Sequence, residues 1–131
     1  MSDITPRNKT IQSFRDLDVY SLARGGAGKV FLLTRTFPRE ERFSLVDQVR
    51  RSSRAVAAMI AEAWARRRYE AAFINKLNEA QGEAMETQSW LDQALDCGYI
   101  TPDQHHTHDA VFQQLGGKLQ RMIEKSSSFC S

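Results

Sequence analysis

Seven arginines crowd one stretch of this chain. Arg42, Arg50, Arg51, Arg54, Arg66, Arg67 and Arg68 stand between positions 41 and 68, against only Glu41, Asp47 and Glu62. The next stretch, 69–97, reverses the balance, with Lys76 facing Glu70, Glu79, Glu83, Glu86, Asp92 and Asp96. A guanidinium offers a planar fork of donors that matches phosphate oxygens, so a basic run of this kind can form a nucleic-acid-facing surface. The two stretches can instead neutralise each other, within or between subunits, through exposed pairs that are individually weak. Pairing suits Arg50, Arg51 and Arg54 slightly better, while Arg66, Arg67 and Arg68, at a helix end, suit phosphate about as well. These six are the candidate nucleic-acid-binding residues.

Other chemistry finds less support. His105, His106 and His108 form the histidine cluster of the chain. His105 and His108 share a helix face, but no full set of three or four converging ligands accompanies them, so the cluster reads as a polar first helical turn. Glu79, Glu83 and Glu86 fall at i, i+4 and i+7 on one side of a helix. The Glu-x-x-His signature of di-iron bundles is absent, and a solvated or subunit-facing acidic stripe is the expectation. No serine or cysteine stands in a recognisable nucleophile arrangement. Gly28-Lys29 is followed by Val30 with no strand before it, which does not satisfy a phosphate-binding glycine loop. Trp64 and Trp90 are of the type that stacks on bases, yet each flanks a helix seam and is expected to pack. These patterns predict no catalytic residue, no metal and no cofactor, hence a protein that is not an enzyme.

The elements that position these residues follow from the spacing of apolar side chains. Tyr20, Ala23, Ala27, Val30, Thr34 and Phe37 alternate by threes and fours, as do Val46, Val49, Ser53, Val56, Ile60 and Ala63. Phe73, Leu77, Ala80, Ala84, Thr87, Leu91 and Ala94 continue the pattern, and His108, Phe112, Leu115, Leu119 and Met122 end it. That alternation is a helix seam, since strands need a period of two. Phe37-Pro38 separates the first seam from the second, because proline disfavours helix at the residue before it. Gly98 suits a C-terminal cap and Pro102 a first helical turn, which separates the third from the fourth. Residues 66–69 hold no glycine or proline, so a tight turn is expected there.

Four seams joined by short loops predict an all-α fold, an antiparallel up-and-down four-helix bundle. The helices are expected over roughly 14–36, 41–66, 69–97 and 103–125, within a bundle spanning 14–125. Residues 1–13 are expected to be a flexible N-terminal segment and 126–131 a flexible tail. Gly25, Gly26 and Gly28 interrupt the first helix, each at about 1 kcal/mol against alanine. They either kink it or permit close approach of another backbone. At 131 residues with 26% charged side chains, the chain fits one globular domain. No apolar run approaches the ~20 residues of a membrane span. Cys97 and Cys130 are too few and too distant for a disulfide framework or zinc pattern. A cytoplasmic protein is expected.

Several of these residues also resemble a known family. Phe37-Pro38-x-x-Glu41, Gln48-Val49-Arg50-Arg51-Ser52-Ser53, Ile60-Ala61-Glu62, Gly82 and Ala94-Leu95-Asp96-Cys97-Gly98-Tyr99-Ile100 are similar in order and spacing to the four-helix-bundle proteins encoded in 23S rRNA intervening sequences. The likeness runs from about Phe14 to Leu119. The chain departs from it at Ala57, Met59 and Ala63, and in its first-helix glycines. The resemblance implies a homo-oligomer, a pentameric ring. It also implies kinship with accessory proteins of diversity-generating retroelements, which bind a reverse transcriptase and its RNA through a basic surface. RNA, a reverse transcriptase or both are therefore the expected partners. The alternative is a structural or protein-interaction bundle with no nucleic-acid partner.

Overall fold

A computed structural model describes residues 10–130. The expectations for residues 1–9 and for Ser131 lie outside the described residues. Four helices run in sequence: α1 (Asp18–Thr34), α2 (Leu45–Ala65), α3 (Glu70–Asp96) and α4 (Pro102–Glu124). Each packs against the next, and α1 closes the bundle against α4. The described residues contain no strand, and no described helix is long and apolar enough to cross a membrane.

The α2 and α3 seams bury as their spacing predicts, whereas in α1 Tyr20 and Ala27 of the expected seam are only half-buried and Val19 and Leu33 enter the core beside Ala23, Val30 and Thr34. Val46, Val49, Ser53, Val56, Ile60 and Ala63 of α2 are all inside, as are Phe73, Leu77, Ala80, Ala84, Thr87, Leu91 and Ala94 of α3. Phe112, Leu115, Leu119 and Met122 complete the core from α4. One polar bridge crosses this interior: Ser52 Oγ and Thr87 Oγ1 lie 2.8 Å apart, both fully buried. Thr87 also donates to the Glu83 carbonyl at 2.9 Å, so neither hydroxyl is left unsatisfied.

Local chemistry sets the helix boundaries. Ser13 and Asp16 form a capping box over a short 3-10 turn (Phe14–Asp16). Leu17 then adopts extended backbone and drops into the core, so α1 starts at Asp18 rather than at residue 14. After Thr34, residues 35–37 tighten into i→i+3 bonds ahead of Pro38. A second 3-10 turn occupies Arg39–Glu41, which delays α2 to Leu45. Gly98, at φ +76°, caps α3 in the left-handed region where glycine carries no Cβ penalty. Thr101 and Gln104 exchange capping hydrogen bonds at 3.1 and 2.9 Å, with Pro102 in the first turn of α4.

Two expectations are resolved here. Helix α1 is continuous through its glycines, and only Gly26 is closely approached. A Cβ there would sit 3.0 Å from Val111 Cγ1 and 3.2 Å from Phe112 Cζ of α4, whereas Gly25 and Gly28 face open space. The expected fraying from residue 126 is not what the chain does. Residues Ser126–Ser128 form a 3-10 turn in which Ser126 is buried and donates to Glu70, while Phe129 stacks on Phe73 at 6.1 Å. An apolar residue beyond the serines gives the tail something to bury, which the serine run conceals.

Candidate nucleic-acid interface

Successive residues on a helix differ by about 100° in direction, and this separates Arg50 from Arg51. Arg50 turns toward α1. Its Nε donates to Thr34 Oγ1 at 2.9 Å, its Nη2 to the Phe31 carbonyl at 3.4 Å, and its guanidinium lies 4.5 Å over the Phe31 ring. Arg54, one turn further, approaches the same ring at 5.9 Å. Arg51 turns toward α3, where it pairs with Glu83 at 3.3 Å and with Glu86. Glu86 strengthens that guanidinium's hold on its proton. Burial opposes ionisation of Glu86, but the Trp90 N–H and Arg51 outweigh it and hold the carboxyl below its usual range.

The six candidates therefore do not form one patch. Arg50 and Arg54 belong to the α1–α2 side, Arg51 to the α2–α3 seam, and Arg66 to Arg68 to the far end of α2. The sixteen residues from Arg50 to Arg66 correspond to about 24 Å of helix. At that far end Arg67 stacks 4.0 Å over Trp64 and donates to the Trp64 carbonyl at 2.9 Å. Arg67 and Arg68 line a cavity of about 310 Å³ with Ala65 and Tyr69. Trp90 is half-buried, with its indole N–H donating to Glu86 at 3.0 Å. Both tryptophans thus have packing partners, as their seam positions predict.

The α1–α2 corner holds arginines that the sequence pattern does not group. Arg35, Arg39, Arg42 and Arg50 line a cavity of about 320 Å³ whose remaining wall is Thr34, Phe37, Pro38 and Val46. None of these four arginines, nor Arg54, forms an ion pair with a described carboxylate. Glu41, in the same loop, is held by other partners. It accepts from Ser44 Oγ at 2.6 Å, the Leu45 N–H at 3.3 Å and Tyr99 Oη at 2.7 Å. Those bonds, Ser44 first, lower its pKa, and the Glu41 carboxylate in turn raises that of Tyr99. The signal available in the sequence is the spacing of Arg35, Arg39 and Arg42 on both sides of Pro38.

The histidines separate as well. His105 Nε2 lies 2.7 Å from Asp92 Oδ1 of α3, and Asp109 accepts from Gln88 at 3.1 Å. Donor atoms of Asp92, His105 and Asp109 all fall within 4.8 Å of one another. This is a three-residue set, one protein ligand short of a closed structural zinc site. Its hydrogen bonds also suffice to fasten α3 to α4. Sequence spacing missed Asp92, which lies on another helix. His108 faces the other way, half-buried, and burial followed by the Lys29 charge lowers its pKa. The acidic stripe also has partners: Glu79 accepts from Lys76, which pairs with Glu62 of α2 at 3.0 Å.

Comparison with known proteins agrees with this architecture. No curated protein sequence matches the chain. A solved structure from Bacteroides thetaiotaomicron VPI-5482, a protein with unknown function from the S23 ribosomal protein family, is similar at 30% identity and a TM-score of 0.74. The likeness covers 81% of this chain and 95% of that one. A family model, the 23S rRNA-intervening sequence protein, matches residues 15–121. That match takes in all four helices but the last turn of α4, and the chain belongs to the 23S rRNA-intervening sequence protein family.

Proposed function

We propose that this protein is a non-enzymatic, homo-oligomeric accessory protein that binds RNA through the arginines of its α1–α2 side. The observation that carries the reading is the set Arg35, Arg39, Arg42, Arg50 and Arg54, which has no carboxylate partner among the described residues. Such a set attracts polyanions, because neutralising phosphates releases their condensed counterions. Phe31, beneath two of the guanidiniums, adds an aromatic surface of the kind on which unpaired bases stack. Arg66 and Arg68, exposed at the other end of α2, extend the contact. Exposed Leu32, Phe43, Tyr69 and Met85 supply apolar surface for contact between copies, in keeping with the ring that the family resemblance implies. A reverse transcriptase enters as the protein partner of the same RNA.

A second reading has its own support. Arg51 with Glu83 and Glu86, and Lys76 with Glu62, neutralise charge inside one subunit, as a purely structural bundle would. An affinity pull-down of the tagged protein from its native host separates the two. Enrichment of RNA that disappears at high salt is the expected result, with a reverse transcriptase alongside it as the accessory role demands. A homo-oligomer free of nucleic acid would overturn RNA binding and leave the structural bundle.

A further inference from the structure

The corner between α1 and α2 is built for more charge than a nucleic-acid backbone supplies. Four arginines, Arg35, Arg39, Arg42 and Arg50, line one concavity, with the Arg42 guanidinium 5.9 Å from the Phe43 ring and that of Arg50 over Phe31, and no described carboxylate pairs with them. Glu40 is exposed and pairs with none of them, and Glu41 is engaged by Ser44, Leu45 and Tyr99. The cavity, about 320 Å³, reaches the size of small-ligand sites. Arg50 is already fixed by Thr34 and the Phe31 ring, so it gives up little side-chain freedom on taking a ligand. The apolar wall excludes water from one side, which strengthens each charge-assisted hydrogen bond.

We propose that this cavity is a receptor for a multiply charged phosphate group, a phosphomonoester or a pyrophosphate. The donors to Glu41 are neutral and leave its charge in place. The four arginines against Glu40 and Glu41 thus amount to a net +2, of which a backbone diester, with one negative charge, would offset only half. A phosphomonoester brings roughly −1.5 to −2 and three acceptor oxygens, enough for several bidentate guanidinium contacts. The group comes from one of two sources: the terminal phosphate of an RNA, or a free nucleotide. Only the RNA source rests on the RNA-binding reading above.

The test uses the full chain and three proteins: the wild type, R35Q/R39Q/R42Q, and R24Q/R121Q/K125Q, which removes equal formal charge elsewhere. Arg35, Arg39 and Arg42 are exposed, and circular dichroism verifies that both variants fold. Calorimetric titration with inorganic pyrophosphate should show one site per chain, weakened at least about tenfold in the corner variant and unchanged in the control. Equal pyrophosphate affinity in all three proteins, or no binding to the wild type, would overturn the proposal. One single-stranded RNA is then compared with a terminal hydroxyl and with a terminal phosphate. A preference of about tenfold for the phosphorylated end, abolished in the corner variant, supports the pocket and assigns it to RNA ends. Equal RNA affinities with specific pyrophosphate binding support the pocket and assign it to a free phosphorylated ligand. If neither RNA binds while pyrophosphate does, the pocket stands and the RNA-binding reading falls.

Discussion

The two sides of α2 handle the same residue type in opposite ways. On the α3 side, Arg51 meets two carboxylates, Lys76 reaches Glu62 and Glu79, and Ser52 bridges to Thr87. On the α1 side, Arg50 and Arg54 meet a ring, a hydroxyl and a carbonyl. Asp18, the one carboxylate in α1, is taken by Lys118 of α4 at 2.9 Å. Helix α1 therefore has no acid left for the arginines of α2. A charged residue's part in the molecule depends here on which neighbour it faces, and the α3 side serves cohesion while the α1 side keeps its positive field available.

Perturbing the α3 side should cost stability, most of all at its buried polar bridge. Thr87→Val leaves Ser52 with only its own helix's carbonyl, and unfolding free energy should fall by about 1–2 kcal/mol. The double variant S52A/T87V should fall by less than the sum of the single effects, because no hydroxyl is then stranded. Urea unfolding of the four proteins in the cycle checks this, and strict additivity would mean that the bridge is not a coupled pair.

On the α1 side the glycines sharpen the contrast between packed and open surface. Gly26→Ala pushes a methyl into Val111 and Phe112, a strain of about 1–3 kcal/mol that exceeds the gain of about 1 kcal/mol in helix propensity. Gly28→Ala meets nothing within 4 Å and should stabilise the isolated subunit by about 0.5–1 kcal/mol. Thermal melts should move in opposite directions for these two variants. Destabilisation at Gly28 would show instead that this face is covered, and by another copy if the effect depends on protein concentration.

Smaller still is the effect of Arg51→Ala on stability. The pair is half-exposed, so the cost should stay below about 1 kcal/mol and shrink with added salt. Unfolding midpoints at low and high ionic strength measure it.

His108 adds a weak pH dependence to the α1–α4 contact. Its folded pKa lies below the ordinary 6.5, through burial and then Lys29, so the unfolded chain binds the extra proton first as pH falls. Its contribution is whole above pH 6.5, declines as pH drops through 6.5 toward the lower folded value, and is constant below it. The stability of His108→Gln should fall less steeply than that of the wild type between pH 7 and pH 5. Parallel slopes would place the dependence elsewhere.

Much of the bundle was legible in the sequence because helix seams are local. Every α3 seam position named from spacing is buried, and Gly98 and Pro102 mark the α3–α4 junction through chemistry confined to a few residues. Boundaries were less legible where a side chain left the helix to bury itself, as at Leu17, or where a turn intervened, as at Arg39–Glu41. The site was legible by composition but not by grouping. Arg50 and Arg51 are neighbours in sequence, and only the arrangement of helices around α2 gives one to Thr34 and the other to Glu86. Arg35, Arg39 and Arg42 come from a helix end and a loop, so no single periodicity joins them to Arg50.

Unpaired and paired arginines should differ most plainly in what they do for RNA affinity. Fluorescence anisotropy with one labelled single-stranded RNA would compare the wild type, R39E/R42E/R54E and R51E across a series of salt concentrations. The triple reversal should weaken binding about a hundredfold or more at low salt and flatten the log–log salt slope by about 0.7 for each phosphate no longer neutralised, whereas R51E should retain the wild-type slope. Equal weakening in the triple variant and in R51E, or no measurable RNA affinity in the wild type, would contradict the division of α2 into a cohesive side and an RNA-facing one.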